Sequence, residues 1–188
     1  MRRGRWLLVL AAWCGLAGDV EAVELFESQT GRFRVLLPGE PSVETHSRRT
    51  LLGRVTDARY ELASDGTFWA VETHDIPRAA ALLLPARVIL DRARQGFLAD
   101  RDRREIERTD TERRGHPAQR IRYVRRDDPE WPRVALLVLA GNRIYIVIGE
   151  DSPRTRETLP PERFLASFDF WEEDAQPPGP AKPEPEVR

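Results

Sequence analysis

Two runs of consecutive apolar residues constrain the fold of this chain more than any other feature. Val134–Ala140 and Ile144–Ile148 are apolar at successive positions, and only Gly141, Asn142 and Arg143 separate them. Strands of this kind are covered on both faces, whereas a strand with one solvated face alternates between apolar and polar residues. The sequence therefore predicts a central hairpin that other elements must cover on each side.

The cover on one side is predicted to be a helix over residues 85–99. Apolar residues recur there at helical spacing with polar residues opposite, and a proline is well placed in the first turn. The apolar positions are Ala86, Ile89, Leu90, Ala93 and Phe97, and the proline is Pro85. A second, shorter element around residues 160–166 is the candidate for cover on the other side.

Most of the remaining chain is predicted to form strands. Phe33–Leu37 alternates before a Pro-Gly turn, and the Asp65-Gly66 pair joins residues 54–62 and 68–74 into a hairpin. Further strands are predicted at 42–49 (exposed), 103–110 and 117–125, with 167–171 as a short strand or packed segment. The expected class is α+β, with an antiparallel sheet of about six to eight strands flanked by one long and one short helix as an α/β/α sandwich.

The first 22 residues predict a secretory signal peptide. Residues 1–5 are positively charged, residues 6–18 are uncharged, and a small residue, Ala22, precedes the expected cleavage point. This uncharged stretch is shorter than the roughly 20 residues of a membrane-spanning helix, so an uncleaved anchor is the less favoured alternative. Lipidation at Cys14 is a further alternative, disfavoured by the bulky Trp13. We expect a secreted or periplasmic protein with no membrane span after cleavage.

The C-terminal segment, residues 172–188, predicts a disordered tail. It holds five prolines and five acidic residues and has no apolar pattern to bury. The folded part is then a single domain over residues 24–171.

Composition argues against several classes of function. The chain has 30 Lys+Arg against 31 Asp+Glu, which is not the basic excess of a nucleic-acid-binding protein. Cleavage after Ala22 would remove the one cysteine, and with it thiol catalysis, cysteine-ligated zinc and iron–sulfur clusters.

The sequence also lacks short catalytic and metal-binding motifs. The three histidines, His46, His74 and His116, lie too far apart in sequence for a metal motif, and serine-elbow and phosphate-loop motifs are missing. We expect no cofactor and no enzymatic activity, a hydrolase with a site assembled from distant residues being the less favoured alternative.

One segment carries a local excess of positive charge. Residues 101–126 contain ten arginines against five acidic residues. Arg120, Arg122, Arg125 and Tyr123 are the candidate binding residues, for an envelope protein or an anionic surface. The alternative is a solvated face that the neighbouring acids partly neutralise.

Three short stretches suggest a family. F-R-V-L-L-P-G-E-P from Phe33, L-A-G-N-R-I-Y-I-V from Leu139 and R-F-L-A-S-F from Arg163, together with the mid-chain helix, resemble bacterial secreted domains of the PsbP/Mog-like fold. The resemblance covers about residues 26–171. It implies an antiparallel sheet sandwiched by helices and a binding or assembly role, as in an accessory subunit of the photosynthetic oxygen-evolving complex and a protein that binds a small GTPase. It carries over no site residue.

These observations lead to one expected function and one alternative. We expect a monomeric, non-enzymatic extracytoplasmic domain that binds a partner or assists an assembly. The alternative is a small-ligand carrier with a pocket between the sheet and the helix.

Overall fold

The computed structural model of the protein describes residues 22–50, 53–64, 66–100 and 102–171. The predicted signal peptide before Ala22, the lipidation candidate Cys14 and the predicted tail, 172–188, lie outside the described residues. The strands are β1 (Glu24–Ser28), β2 (Phe33–Leu37), β3 (Ser42–Thr50), β4 (Gly53–Ser64), β5 (Thr67–Asp75), β6 (Arg103–Arg113), β7 (His116–Arg125), β8 (Arg133–Ala140), β9 (Arg143–Glu150) and β10 (Asp169–Phe170), and the helices are α1 (Arg78–Leu83), α2 (Ala86–Asp100), α3 (Pro153–Thr158) and α4 (Pro161–Ser167).

The strands form two antiparallel sheets. Seven strands pair in the order β3-β4-β5-β9-β8-β7-β6, and three pair in the order β1-β2-β10. The α+β class and the large antiparallel sheet are therefore confirmed. The three-stranded sheet was not predicted, and the described residues hold four helices where one long and one short helix were expected. The two unpredicted helices, α1 and α3, have six residues each, too few for a helical period to show in the sequence.

The central hairpin is formed by β8 and β9, and every residue of both strands is buried. Leu137 pairs with Ile146, and Ala140 pairs with Arg143 at the turn. Gly141 occupies this turn with a φ of 57°, a backbone conformation that glycine adopts without steric cost. The prediction of a strand pair that needs cover on both faces is confirmed.

One face of the hairpin packs against α2. The contacting side chains of the helix are Ile89, Leu90 and Phe97, and they meet Leu137 and Ile146 of the central strands. The helix covers β6, β7 and β8. It begins at Ala86, one residue after the predicted start, because the carbonyl of Pro85 accepts the amide hydrogen bonds of its first turn.

The opposite face packs against α4 and the three-stranded sheet. This second core contains the aromatic side chains Phe33, Phe164, Phe168 and Phe170, together with Val138 and Val147 of the central strands. The short element predicted around residues 160–166 is confirmed as α4.

The two outer strands of the large sheet are polar. Residues 42–49 of β3 are all exposed. The register of β6 against β7 shifts between Glu105 and Glu107, which leaves Ile106 in a bulge. Both sheet edges thus differ in composition from the apolar central strands.

The close contact between β9 and α4 gives a test of this packing. A Cβ added at Gly149 would lie 3.0 Å from Cβ of Pro161 and 3.1 Å from its Cα, both closer than carbon atoms normally approach. We expect Gly149→Ala to lower the free energy of unfolding by about 1–3 kcal/mol. Gly96→Ala in α2 is the matched control, because its added Cβ would meet nothing within 4 Å. Urea unfolding followed by circular dichroism measures both, and a Gly149→Ala chain as stable as the wild type would contradict this packing.

Candidate binding groove

A line of charged side chains crosses β4 and β5 on the face of the large sheet that α2 partly covers. Asp57, Arg59 and Glu61 alternate along β4, and Glu72 and His74 are two apart on β5. The strand register places Asp57 opposite His74 and Arg59 opposite Glu72. Because side chains two apart in a strand share a face, all five project to the same side. We call these five residues the charge chain.

Each member of the charge chain contacts the next. His74 Nδ1 lies 3.0 Å from an Asp57 carboxylate oxygen, and His74 Nε2 lies 3.6 Å from Glu72. Arg59 donates to the other oxygen of Glu72, and its Nε donates to Glu61 at 2.6 Å. Positive and negative groups therefore alternate along the whole line.

These contacts shift the pKa values of the two central groups in opposite directions. Burial alone would lower the pKa of His74, but the contact with Glu72, the hydrogen bond with Asp57 and the charges of both carboxylates raise it above its ordinary value. Burial alone would raise the pKa of Glu72, yet the neighbouring His74 and the positive charges of Arg59, His74 and Arg103 lower it. The pair is thus stabilised as imidazolium and carboxylate.

A groove opens beside the charge chain, between α2 and the strands β5 and β9. Its volume is about 320 Å³, near the lower end of the range of roughly 300–1,000 Å³ for small-molecule sites. The lining combines Ile144 and Ile146 of β9 with Glu72 and His74 of β5, Ala93, Gly96, Phe97 and Asp100 of α2, and Arg103. The groove therefore offers an apolar floor beside charged groups.

An aromatic and cationic stack borders the groove at the end of α2. The guanidinium of Arg103 lies 3.8 Å from the ring centroid of Phe97, and the rings of Phe97 and Tyr123 meet edge to face at 5.2 Å. Arg103 also donates to the carbonyl of Phe97. Burial raises the pKa of the Tyr123 hydroxyl to about 12. This stack fixes the end of the helix against the sheet.

The four binding residues predicted from the sequence do not share one surface. Tyr123 is buried under α2, while Arg120 and Arg122 project from the opposite face of β7. Arg125 is on the same face as Tyr123 and its Nε donates to Asp127 at 2.8 Å.

The two arginines on the outer face of β7 have acidic neighbours in their own chain. Arg120 contacts Glu162 of α4, and Arg122 lies 3.9 Å from Asp151. Binding of a partner by Arg120, Arg122 and Arg125 stays a prediction.

Sequence reasoning missed the charge chain because it treated His74 as isolated. The available signal was the Asp-Gly turn. A hairpin closed at this turn pairs Arg59 with Glu72, and two residues further along it pairs Asp57 with His74. His116 lies far from this line, with its ring 5.2 Å from Phe170. Across the part of the chain that the structure describes, no three His, Cys, Asp or Glu side chains form a group that could hold a metal ion.

Within the described ranges, no helix is both long and apolar enough to cross a membrane.

The charge chain predicts a pH-dependent stability. Because the pKa of His74 is raised in the folded chain, its stabilising effect is complete below the unfolded value of 6.5 and is lost as pH rises through the folded pKa. We expect the unfolding free energy of the wild type to fall more steeply above pH 6.5 than that of His74→Gln. Urea unfolding at a series of pH values measures this slope. His46→Gln, a change on exposed β3, should keep the wild-type slope, and equal slopes in all three chains would show that His74 is not held by its carboxylates.

Comparisons with known proteins bear on the fold. No protein-family model and no curated protein matches the chain. The solution structure of cyanobacterial PsbP (CyanoP) from Synechocystis sp. PCC 6803 is similar, with a TM-score of 0.51 and 13% identity over 84% of this chain and 97% of that chain. A protein of unknown function from Pseudomonas aeruginosa, PA94, described as a putative regulator, gives a TM-score of 0.34 and 14% identity over 72% of this chain and 86% of that one. Together with the strand order and the two cores, the first of these similarities shows that the chain has a PsbP-like fold.

Proposed function

We propose that the chain is a non-enzymatic, extracytoplasmic binding domain that holds a small molecule in the groove between α2 and the sheet. The observation that carries the proposal is the groove itself, with its apolar floor of Ile144 and Ile146 beside the charged Glu72 and His74. Ligand sites commonly combine apolar walls with a few polar groups in this way. The extracytoplasmic location rests on the signal peptide predicted from residues 1–22.

The groove exists because α2 covers only part of the sheet. The helix packs on β6, β7 and β8, and no comparable packing joins it to β4. On β4 and β5 the sheet face beyond the helix carries the charge chain, and on β5 also Phe68 and Ala70, so charged groups lie beside this flank of the helix. The open flank of α2 therefore borders a cleft rather than a continuous core.

The lining selects a ligand with an apolar body and a polar end. Ala93, Ile144 and Ile146 would pack against the body, and Glu72 and His74 lie where a polar end would point. Since Glu72 and His74 each already contact an oppositely charged member of the charge chain, a ligand with a strong net charge would gain little there. The small volume favours a compact molecule.

His74 is held in place by its carboxylate neighbours. Its two ring nitrogens face Asp57 and Glu72, and these contacts raise its pKa above the ordinary value. A fixed, paired imidazole suits a site in which a few polar groups orient a ligand.

An assembly-accessory role is the second candidate, carried by the exposure of the arginines on β7. The side chains of Arg120 and Arg122 are 44% and 46% exposed, and they would meet an acidic envelope protein or an anionic surface.

The double variant Arg120→Glu with Arg122→Glu reverses both charges. It should abolish capture of such a partner at low salt, and unchanged capture would exclude this role.

Gly96 offers a direct test of the groove. It lines the cleft, and a side chain added there enters open space rather than protein atoms. We expect Gly96→Leu to fill the groove and to weaken binding of the neutral dye N-phenyl-1-naphthylamine by about tenfold or more, while helix propensity keeps the chain folded.

The matched control is Gln95→Leu, which adds the same side chain at the neighbouring exposed position of α2. Dye fluorescence titrations of the two variants and the wild type give the dissociation constants. Circular dichroism checks folding. Equal loss in both variants, or no loss in Gly96→Leu, would place the dye elsewhere and contradict a ligand site in the groove.

A further inference from the structure

The segment that leads from β5 into α2 contains no acidic and no uncharged polar residue over thirteen positions. Residues 78–90 read R-A-A-A-L-L-L-P-A-R-V-I-L, so their only charged groups are Arg78 and Arg87. The groove uses none of these residues. Such a composition is unusual for a segment at the surface of a soluble domain.

The leucines of this segment are turned to solvent. Leu82 is 86% exposed and Leu83 is 80% exposed, and Leu84 and Val88 are about half as exposed. Helix α1 buries none of its residues. A group of neighbouring exposed aliphatic side chains marks a contact surface, because a partner or a membrane that covers it removes its apolar area from water. We call Leu82, Leu83, Leu84 and Val88 the leucine tip.

The leucine tip is held in place and is not a loose end. The amide of Ile76 donates to the carbonyl of Asn142 at 2.8 Å, and the Asn142 side chain donates back to the carbonyl of Ile76 at 3.3 Å. Asn142 belongs to the turn of the central hairpin. The segment that leads into α1 is therefore fastened to the turn of the central hairpin.

We propose that the leucine tip docks the domain onto the surface of an anionic lipid bilayer. The leucines would enter the boundary between head groups and acyl chains, and Arg87 and the exposed Arg92 would meet lipid phosphates. The arginines beside the tip match the negative charge of such lipids. No acidic residue occurs from 78 to 90, and the next acidic residue, Asp91, accepts a hydrogen bond from Gln119 at 3.0 Å.

A bilayer fits the tip better than a protein groove. Protein interfaces are enriched in aromatic residues at their centre and have a rim of hydrogen-bonding side chains. The tip has no aromatic residue, and its hydrogen-bonding side chains are arginines alone, because every side chain from 78 to 90 is aliphatic, proline or arginine. A bilayer surface requires only apolar area and positive charge. Four aliphatic side chains give reversible attachment rather than permanent insertion.

A probe at the tip tests the proposal locally. The full chain with Cys14→Ser and Leu83→Cys carries one cysteine, which is labelled with nitrobenzoxadiazole. We expect its emission to rise and shift to the blue with vesicles of equal parts phosphatidylglycerol and phosphatidylcholine, and to change little with phosphatidylcholine alone. The same label at Val43→Cys on β3 is the control and should not respond. A silent label at position 83 in the anionic vesicles overturns the proposal.

Flotation with the same anionic vesicles provides a second measurement. We expect Leu82→Ser with Leu83→Ser to weaken the tip-dependent binding by about tenfold or more, because both lost side chains are apolar. The matched control, Leu25→Ser with Val43→Ser, removes two exposed aliphatic side chains elsewhere and should bind as the wild type does. Equal weakening of both double variants overturns a docking role for the tip. Dye binding in the groove, measured on the same variants, keeps this result separate from the proposed ligand site.

Discussion

The burial of the β8–β9 hairpin on both faces is the constraint on which the rest of the structure depends. One layer could not cover it, so α2 takes one face while α4 and the three-stranded sheet take the other. Both ends of the hairpin are closed by arginines. Arg133 pairs with Glu150 at the open end, with Nε 3.0 Å from the carboxylate. At the turn, Arg143 donates to Asp75 and to the carbonyls of Thr30 and Gly31, which ties the small sheet to the large one. Charge is thus confined to the ends of the most apolar pair of strands.

The sequence was most informative where one period dominates a long segment. The alternation of residues 33–37, the Asp-Gly turn after residue 64 and the helical spacing from Ala86 to Phe97 each predict an element that the structure contains. Elements with short or weak patterns were missed. Strand β1 pairs in register with β2 although three of its five residues are exposed, so its partner rather than its own composition defines it. Helices α1 and α3 have six residues each, less than two turns, so a proline or a serine at the N-cap marks them more clearly than periodicity does.

The candidate site was harder to predict than the fold because it depends on pairs of side chains that face each other across strands. Tyr123 looked like a binding residue beside arginines, but strand alternation turns it inward while Arg120 and Arg122 turn outward. His74 looked like an ordinary polar strand residue until the register placed Asp57 opposite it. Knowledge of which strands are neighbours is therefore needed before charge patterns in a sheet can be interpreted. For the charge chain, the Asp-Gly turn was the signal that gave that knowledge in advance.

The composition of the two outer strands of the large sheet has a consequence for self-association. Unpaired backbone groups at a sheet edge can recruit a strand from another molecule, and long apolar edges seed aggregates. Strand β3 instead alternates Glu44, His46 and Arg48 with other exposed residues, and the bulge at Ile106 interrupts the hydrogen-bonding ladder beside the opposite edge. A second copy would have to bury these charges to extend the sheet. In a concentrated solution, the two polar edges therefore hinder one molecule from adding its sheet to the sheet of another. They thereby protect the apolar central strands from cross-β stacking.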